Sequence, residues 1–292
     1  MNMDNIQENL PCFGKLASRN VLTVDVEDWY QGLEVIPLKD WPRLENRIWA
    51  GLTKLLRMLE EAGTKATFFI LGYLAREFPE VVSEIQRHGH AIGTHGYSHK
   101  LIYEQGMEEF AKELRSSIEI IEGITGNRPV GFRAPFFSIT QDSMWAIDAM
   151  ISEGIIYDSS IFPVRNYRYG IPSCQRLPHK IKSGNGKEIL EIPMSTLRRF
   201  GVNIPICGGA YFRILPYEYI RRGIRQLNRQ GTPTVFYIHT WELDADHPRI
   251  PLPRRISITH YANLRSTEAK FKRLLEDFDF TTVESVFLDE TH

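Results

Sequence analysis

The chain reads as an α/β protein built on a largely parallel sheet. Three observations predict this. Short β-branched runs alternate with stretches carrying apolar residues at helical spacing. A length of 292 residues suits a single α/β barrel with extensions. Residues able to do chemistry also fall at the carboxyl ends of several runs, where parallel α/β sheets place their sites.

Val21 to Val26 is a β-branched run expected to form a buried strand. Arg47 to Ala62 places Ile48, Leu52, Leu55, Leu56 and Leu59 on one helical face, and Gly63 ends it. Ala66 to Ile70 is the second strand. Pro79 opens a helix carrying Val81, Val82 and Ile85, which ends near Gly89. Ala91 to Gly93 is a third, short strand that delivers His95 to its end. A long helix follows from Met107 to Ile121, with Gly123 and Gly126 beyond it. Next come a strand at Val130 to Arg133, a helix at Gln141 to Glu153 and a strand at Ile155 to Asp158. From about Phe162 prolines and glycines make the rhythm irregular. Leu190 to Pro193 and Thr234 to His239 still read as strands, with a helix from Pro216 to Arg229 between them. Pro248, Pro251 and Pro253 mark a loop, Ser266 to Phe278 a last helix, and Phe280 to Val283 one more strand. The expected organisation is an N-terminal segment (1–19), a core (20–160) and a C-terminal part (161–292) that completes the same domain.

A 42% hydrophobic and 24% charged composition fits a globular protein with a full core. The formal net charge of −1 gives no global field to attract nucleic acid. Local clusters at Arg221, Arg222 and Arg225, and at Arg249, Arg254 and Arg255, read as solvated faces; the alternative is contact with an anionic or lipid-linked substrate. Cys12, Cys174 and Cys207 form no C-x-x-C pair, so neither a disulfide framework nor a cysteine zinc site is expected. Met1 to Asn20 lacks the pattern of a secretory signal, and no stretch is long and apolar enough to span a membrane. A cytoplasmic location is therefore expected. Oligomerisation is open, with a homo-oligomer as one option.

The chemistry concentrates in His95-Gly96-Tyr97-Ser98-His99 and Asp25-Val26-Glu27-Asp28. Two imidazoles four residues apart can reach one point from a helical turn or a tight loop. With a carboxylate they form a three-ligand set that leaves positions open for water and substrate. His88 and His90, at the wrong end of their strand, read as structural. No phosphate-binding glycine loop is present, and Ser159 and Ser160 lack the setting of a nucleophile elbow.

These two motifs occur with Arg133-Ala134-Pro135-Phe136-Phe137, Asp158-Ser159-Ser160 and Tyr237-Ile238-His239, and the set resembles, in order, the polysaccharide deacetylases of the NodB-homology group, carbohydrate esterase family 4. The Asp-x-Glu-Asp form and His239 to Asp244 resemble the subfamily found beside exosortase and exopolysaccharide loci, which carries its own C-terminal extension. The resemblance implies a distorted (β/α) barrel and metal-assisted removal of N-acetyl groups from a carbohydrate. The metal would be zinc, with cobalt, nickel or iron as alternatives.

Carried onto this chain, the resemblance makes Asp25 the general base, Arg133 its partner, His239 the general acid and Asp158 the acid that orients that histidine. His95 and His99 become metal ligands. Most of the family places two aspartates side by side, but here Val26 follows Asp25. The metal carboxylate is then Glu27, which shares a strand face with Asp25, or Asp28 if the chain turns at once; the other acid would support a histidine. Ile238 would line the pocket for the acetyl methyl. Trp29, Tyr30, Phe136 and Trp241 are candidates to stack on sugar rings. Two other functions stay open: a cyclic amide or ureide hydrolase of the allantoinase-like kind, and a non-catalytic carbohydrate-binding relative.

Overall fold

The computed structural model describes residues 19–184 and 186–288. Cys12 and most of the 1–19 segment lie outside them. The first strand, β1 (Asn20–Val26), is buried along its whole length, its apolar and β-branched residues interrupted only by Asn20 at the start and Asp25 near the end, as suits a strand covered on both faces. α1 (Ile48–Glu61) buries the predicted stripe of Ile48, Leu52, Leu55, Leu56 and Leu59, and Gly63 follows it at φ +60°. β2 (Thr67–Ile70) leads into α2 (Gly72–Glu77), a short helix not foreseen in the sequence. α3 (Pro79–Arg87) starts on its proline, whose missing N–H costs nothing in a first turn. β3 (Ala91–Thr94) follows. α4 (Met107–Thr125) runs through Gly123 and ends at Gly126, which takes the left-handed conformation at φ +71°.

β4 (Gly131–Phe132), α5 (Ala146–Ser152) and β5 (Tyr157–Asp158) complete the first half. The helix expected over 141–153 is therefore shorter, with a separate 3-10 turn at Gln141–Ser143. The second half contains β6 (His179–Lys182) and β7 (Glu188–Glu191), then a two-stranded hairpin of β8 (Thr196–Arg199) and β9 (Val202–Pro205). α6 (Gly209–Ile214), α7 (Tyr217–Arg229) and β10 (Val235–His239) follow. α8 (Arg254–Tyr261), α9 (Leu264–Asp277), β11 (Phe280–Thr281) and α10 (Val283–Phe287) end the described chain.

The main sheet has the order β10-β1-β2-β3-β4-β5-β7-β6, with β11 also on β1. All its pairings are parallel except β6 on β7. β10, from the second half, thus lies beside β1, and Asp25 is in register with His239. The segment after β7 reaches β10 without a strand ladder: the Ser195 hydroxyl accepts from the N–H of Val235 at 2.8 Å. This seam makes the sheet an incomplete, distorted barrel. Among the described residues no helix is long and apolar enough to cross a membrane.

Close backbone approach shapes the site from outside. α1 packs against the 3-10 turn Thr240–Leu243, and a Cβ on Gly51 would overlap the Thr240 carbonyl. Gly208, at φ +56°, lies against the Tyr237 carbonyl in the same way. Both glycines let the β10 end sit tightly between its neighbours.

Candidate active site

The carboxyl ends of β1, β3, β4 and β10 open into a cavity of about 390 Å³ whose lining includes Asp25, Glu27, His95, His99 and His239. Glu27, His95 and His99 each offer one ligand atom, all within 4.8 Å of one another, and all three residues are buried. β3 delivers His95, whose N–H bonds the Ile70 carbonyl at 2.8 Å. Its Nδ1 lies 2.8 Å from the Arg133 carbonyl. A carbonyl only accepts, so Nδ1 carries the proton and Nε2 keeps its lone pair for the cavity. Burial lowers the His95 pKa to about 4, which keeps the ring neutral at neutral pH.

His99 returns to the same point by a tight loop rather than a helical turn. It adopts φ +57°, and Ser98 anchors the loop through its hydroxyl to Glu113 at 2.6 Å. Phe136 packs edge-on against the His99 ring at 4.5 Å. Phe136 and Phe137 are themselves left-handed, at φ +54° and +55°. Uncommon backbone conformations at three residues around one cavity are the kind of strain that functional sites hold.

Glu27 Oε2 is 3.1 Å from His99 Nε2, yet it and His99 Nδ1 are buried atoms with no hydrogen-bond partner. Such an orphaned carboxylate oxygen beside two imidazoles fits a bound cation. Burial opposes the charge of Glu27, but the neighbouring imidazoles, His99 foremost, outweigh it and hold its pKa near 2. The Thr240 hydroxyl donates to the Glu27 carbonyl at 2.6 Å and accepts its N–H at 3.1 Å, stapling the residue to the turn after β10.

Arg133 is fully buried and donates from one guanidinium nitrogen to Asp25 at 2.9 Å and Thr23 at 2.7 Å. Its other nitrogens bond the carbonyl and hydroxyl of Ser159. Asp25 is therefore fixed and ion-paired. On the opposite side His239 faces Glu27 at 3.3 Å and Asp25 at 3.8 Å through Nε2. Its Nδ1 lies 3.0 Å from Glu242, which also accepts the His239 backbone N–H at 2.9 Å. Burial alone would lower the His239 pKa, but Glu242 first, then Glu27 and Asp25, raise it to about 9. Glu242 is held near 2 against burial by Arg213 and His239. Arg213 pairs with it at 2.5 Å and donates to the carbonyls of Thr259, His260 and Ala262.

Several expected residues lie elsewhere. Asp28 is neither in the ligand cluster nor beside a histidine: its oxygens accept the N–H groups of Trp29 at 2.8 Å and Arg47 at 2.6 Å, capping the turn and the start of α1. Trp29 and Tyr30 are buried in the core and do not line the cavity; Trp29 donates to the Glu45 carbonyl and stacks on His247. Ile238 is fully buried outside the cavity lining, because a strand that turns Tyr237 and His239 inward turns Ile238 outward. Phe136 and Trp241 do line the cavity. His90 lies outside the cavity lining, its Nδ1 accepting the Ala66 N–H at 3.3 Å.

Asp158 does not orient His239; Glu242 does. The Asp158 carboxyl instead stands in register with Glu191 and accepts from the Ser160 hydroxyl. Each acid leaves one buried oxygen without a hydrogen-bond partner, as expected if a proton sits between them. Burial, then mutual repulsion, raises Glu191 well above its usual range, and burial raises Asp158 to about 6. The folded state keeps a proton that the unfolded chain releases above about pH 4.3. This contribution to stability is complete below that pH and is lost as pH rises toward the folded value. Glu191→Gln should remove the proton linkage. The wild type should lose up to about 1.4 kcal/mol per pH unit relative to the variant between pH 5 and 8. Denaturant unfolding across that range checks it, and parallel curves would contradict the shared proton.

Residues 48–151 match the polysaccharide deacetylase family. That stretch, about a third of the chain, is similar to a polysaccharide deacetylase domain. Residues 159–288 match a second family, described as a domain of unknown function (DUF3473). The deacetylase match includes His95, His99 and Arg133 but stops short of Asp25, Glu27 and His239; the sheet brings those to the same cavity. The chain is 30% identical over 118 residues to a peptidoglycan-N-acetylglucosamine deacetylase of Bacillus cereus, covering 36% of this chain and 43% of that protein. It is 36% identical over 80 residues to a chitooligosaccharide deacetylase of Azorhizobium caulinodans, covering 27% and 38%. The matches span about a third to a half of the length of such curated relatives. In fold, the matched stretch and its continuation resemble a polysaccharide deacetylase crystallised from Mycobacterium smegmatis, with a TM-score of 0.57, 20% identity, and coverage of 92% of this chain and 85% of that one.

Glu242 and Arg213 were not singled out in the sequence. Glu242 had a usable signal, since it stands three residues after His239 and a tight turn folds it back. Arg213 had none, because its role depends on α6 packing beneath the end of β10.

Proposed function

We propose that the protein is a metal-dependent hydrolase that removes N-acetyl groups from a sugar unit of a polysaccharide or its precursor. One observation carries the reading: the Glu27, His95 and His99 cluster lies between an ion-paired carboxylate, Asp25 with Arg133, and a carboxylate-held imidazole, His239 with Glu242. A divalent cation held by the cluster would polarise the acetyl carbonyl and acidify a water. We assign zinc, which suits two imidazoles and a carboxylate.

Asp25 takes the proton of the attacking water, and Arg133, paired with it at 2.9 Å, holds it aimed. His239, protonated at neutral pH, gives its Nε2 proton to the departing nitrogen as the amide C–N bond breaks. Glu242 holds the imidazole ring and balances its charge. The products are acetate and a free amino sugar. Phe136, Tyr211 and Trp241 supply aromatic walls for sugar rings. Part of this wall comes from the 159–288 region, so the substrate is set by a segment outside the deacetylase match. An exopolysaccharide is the polymer we assign, on the likeness of the Asp25–Asp28 and His239–Asp244 motifs to that subfamily. A reducing cytoplasm suits Cys174 and Cys207, both free thiols.

Intact base and acid pairs argue against a binding-only relative. The test is acetate release from N-acetylated sugar oligomers, with allantoin as the competing substrate. Asp25→Asn should keep bound metal and lose at least about 100-fold in turnover, because an amide cannot accept the proton. Release of acetate at wild-type rate by this variant would remove Asp25 from the reaction.

A further inference from the structure

Three arginines line the cavity, and their charges are met differently. Arg213 is buried against Glu242. Arg168 pairs with Glu34 at 3.0 Å and lies over the Phe136 ring at 4.6 Å. Arg255 is exposed at the lip, 3.5 Å over the Tyr167 ring, with no carboxylate within 4.0 Å among the described residues. The carboxylates in the cavity lining, Asp25 and Glu27, are engaged at its floor by Arg133 and the imidazoles.

Arg255 is nevertheless held in place. Arg168 donates to the Tyr167 hydroxyl at 3.0 Å. Glu34 thus fixes Arg168, Arg168 fixes Tyr167, and the Tyr167 face carries Arg255. A cation–π contact positions a guanidinium without neutralising it. Its fork of donors matches two oxygens of a carboxylate or phosphate. Tyr167 lines the cavity while remaining 60% exposed, so the platform faces an arriving ligand.

We propose that this lip binds an anionic oxygen group, phosphate or carboxylate, on the substrate whose acetamide reaches the floor. The substrate class is then an anionic acetamido sugar rather than a neutral chain. The inference rests on the deacetylase reading above and deepens it by assigning Arg255, on Tyr167, as a specificity-determining contact. It also gives one of the basic clusters noted in the sequence a use.

NMR titration of the whole protein with N-acetylglucosamine, N-acetylglucosamine 1-phosphate and 2-acetamido-2-deoxyglucuronic acid tests it. At low salt, at least one anionic sugar should bind about 5- to 10-fold more tightly than the neutral one, and salt should shrink that advantage. Whichever anion gains more identifies the source of the charge. Arg255→Ala should bring the ratio toward one. Arg255→Lys should retain part of it, and Tyr167→Ala should lower it while leaving the arginine in place. Equal affinities in the wild type, or a preference that Arg255→Ala leaves intact, would overturn the proposal. Acetate release is read separately. Release without an anionic preference sinks the lip contact alone; an Arg255-dependent preference without release from any sugar supports the lip and counts against the deacetylase reading.

Discussion

Replacing His95 or His99 by glutamine, which fills similar space, is expected to bring bound divalent metal close to background and acetate release down with it. The cluster offers three donors within 4.8 Å, and each variant leaves two. Metal-assisted polarisation contributes several kcal/mol to a reaction of this kind, so turnover should fall on the order of a thousandfold. His95 carries a second expectation. Its Nδ1–H is committed to the Arg133 carbonyl, so the ring is oriented before any ion arrives. Glutamine cannot reproduce that tautomer, and added metal should rescue His95→Gln only at high concentration. Metal analysis of each purified variant, paired with an acetate assay, checks both. A variant that binds metal as the wild type does would remove its residue from the cluster.

The second large effect concerns His239. An amine expelled without a proton is a poor leaving group, and general acid catalysis is worth roughly 10²–10⁴-fold. His239→Ala should lower kcat on an N-acetyl sugar by that order with little change in KM, since the proton moves in the transition state. An activated acetyl ester of similar shape leaves easily as its anion and should suffer much less. The same group gives the pH profile its direction. As the proposed general acid His239 would act when protonated, so kcat should fall as pH rises through its pKa near 9. Glu242 is the first cause that raises this value. Glu242→Gln should therefore move the alkaline limb to lower pH. Equal losses on amide and ester, or an alkaline limb that Glu242→Gln leaves in place, would return His239 to a packing role.

Much of the sheet was legible in the sequence because buried parallel strands are written as continuous apolar runs. Asn20–Val26, Thr67–Ile70 and Val235–His239 each follow from such a run and from where it stops. The first helix was legible for a different reason, its stripe of leucines closed by a glycine. The two short strands Gly131–Phe132 and Tyr157–Asp158 were legible mainly through the charged residues near their ends. The hairpin Thr196–Pro205, α6 and α8 were not, since prolines and glycines break the period that would announce them.

The site divides along similar lines. His95, His99, Asp25 and Arg133 could be picked out because local motifs bring them to strand ends. Strand alternation assigns Ile238 to the face opposite His239 on pattern alone, so its place in the core follows from physics already in the sequence. Trp29 and Tyr30 needed more: the chain turns after Glu27, and only the fold shows them packed inward with Trp41 and His247. The exchange of Asp158 for Glu242 as the acid beside His239 is a tertiary fact. Asp158 lies on a strand whose neighbour supplies Glu191, and the pair shares burial away from the imidazole. Nothing in the local sequence of either acid announces that partner.

The most direct measurement removes divalent metal from the whole protein with a chelator, then adds zinc back one equivalent at a time while acetate release from an N-acetylated sugar oligomer is recorded. The stripped protein should release no acetate, and release should return linearly and saturate at one zinc per chain. Asp25→Asn, carried in parallel, should take up the same single zinc without recovering activity. Full release from a preparation shown to be metal-free would exclude a metal-dependent reaction.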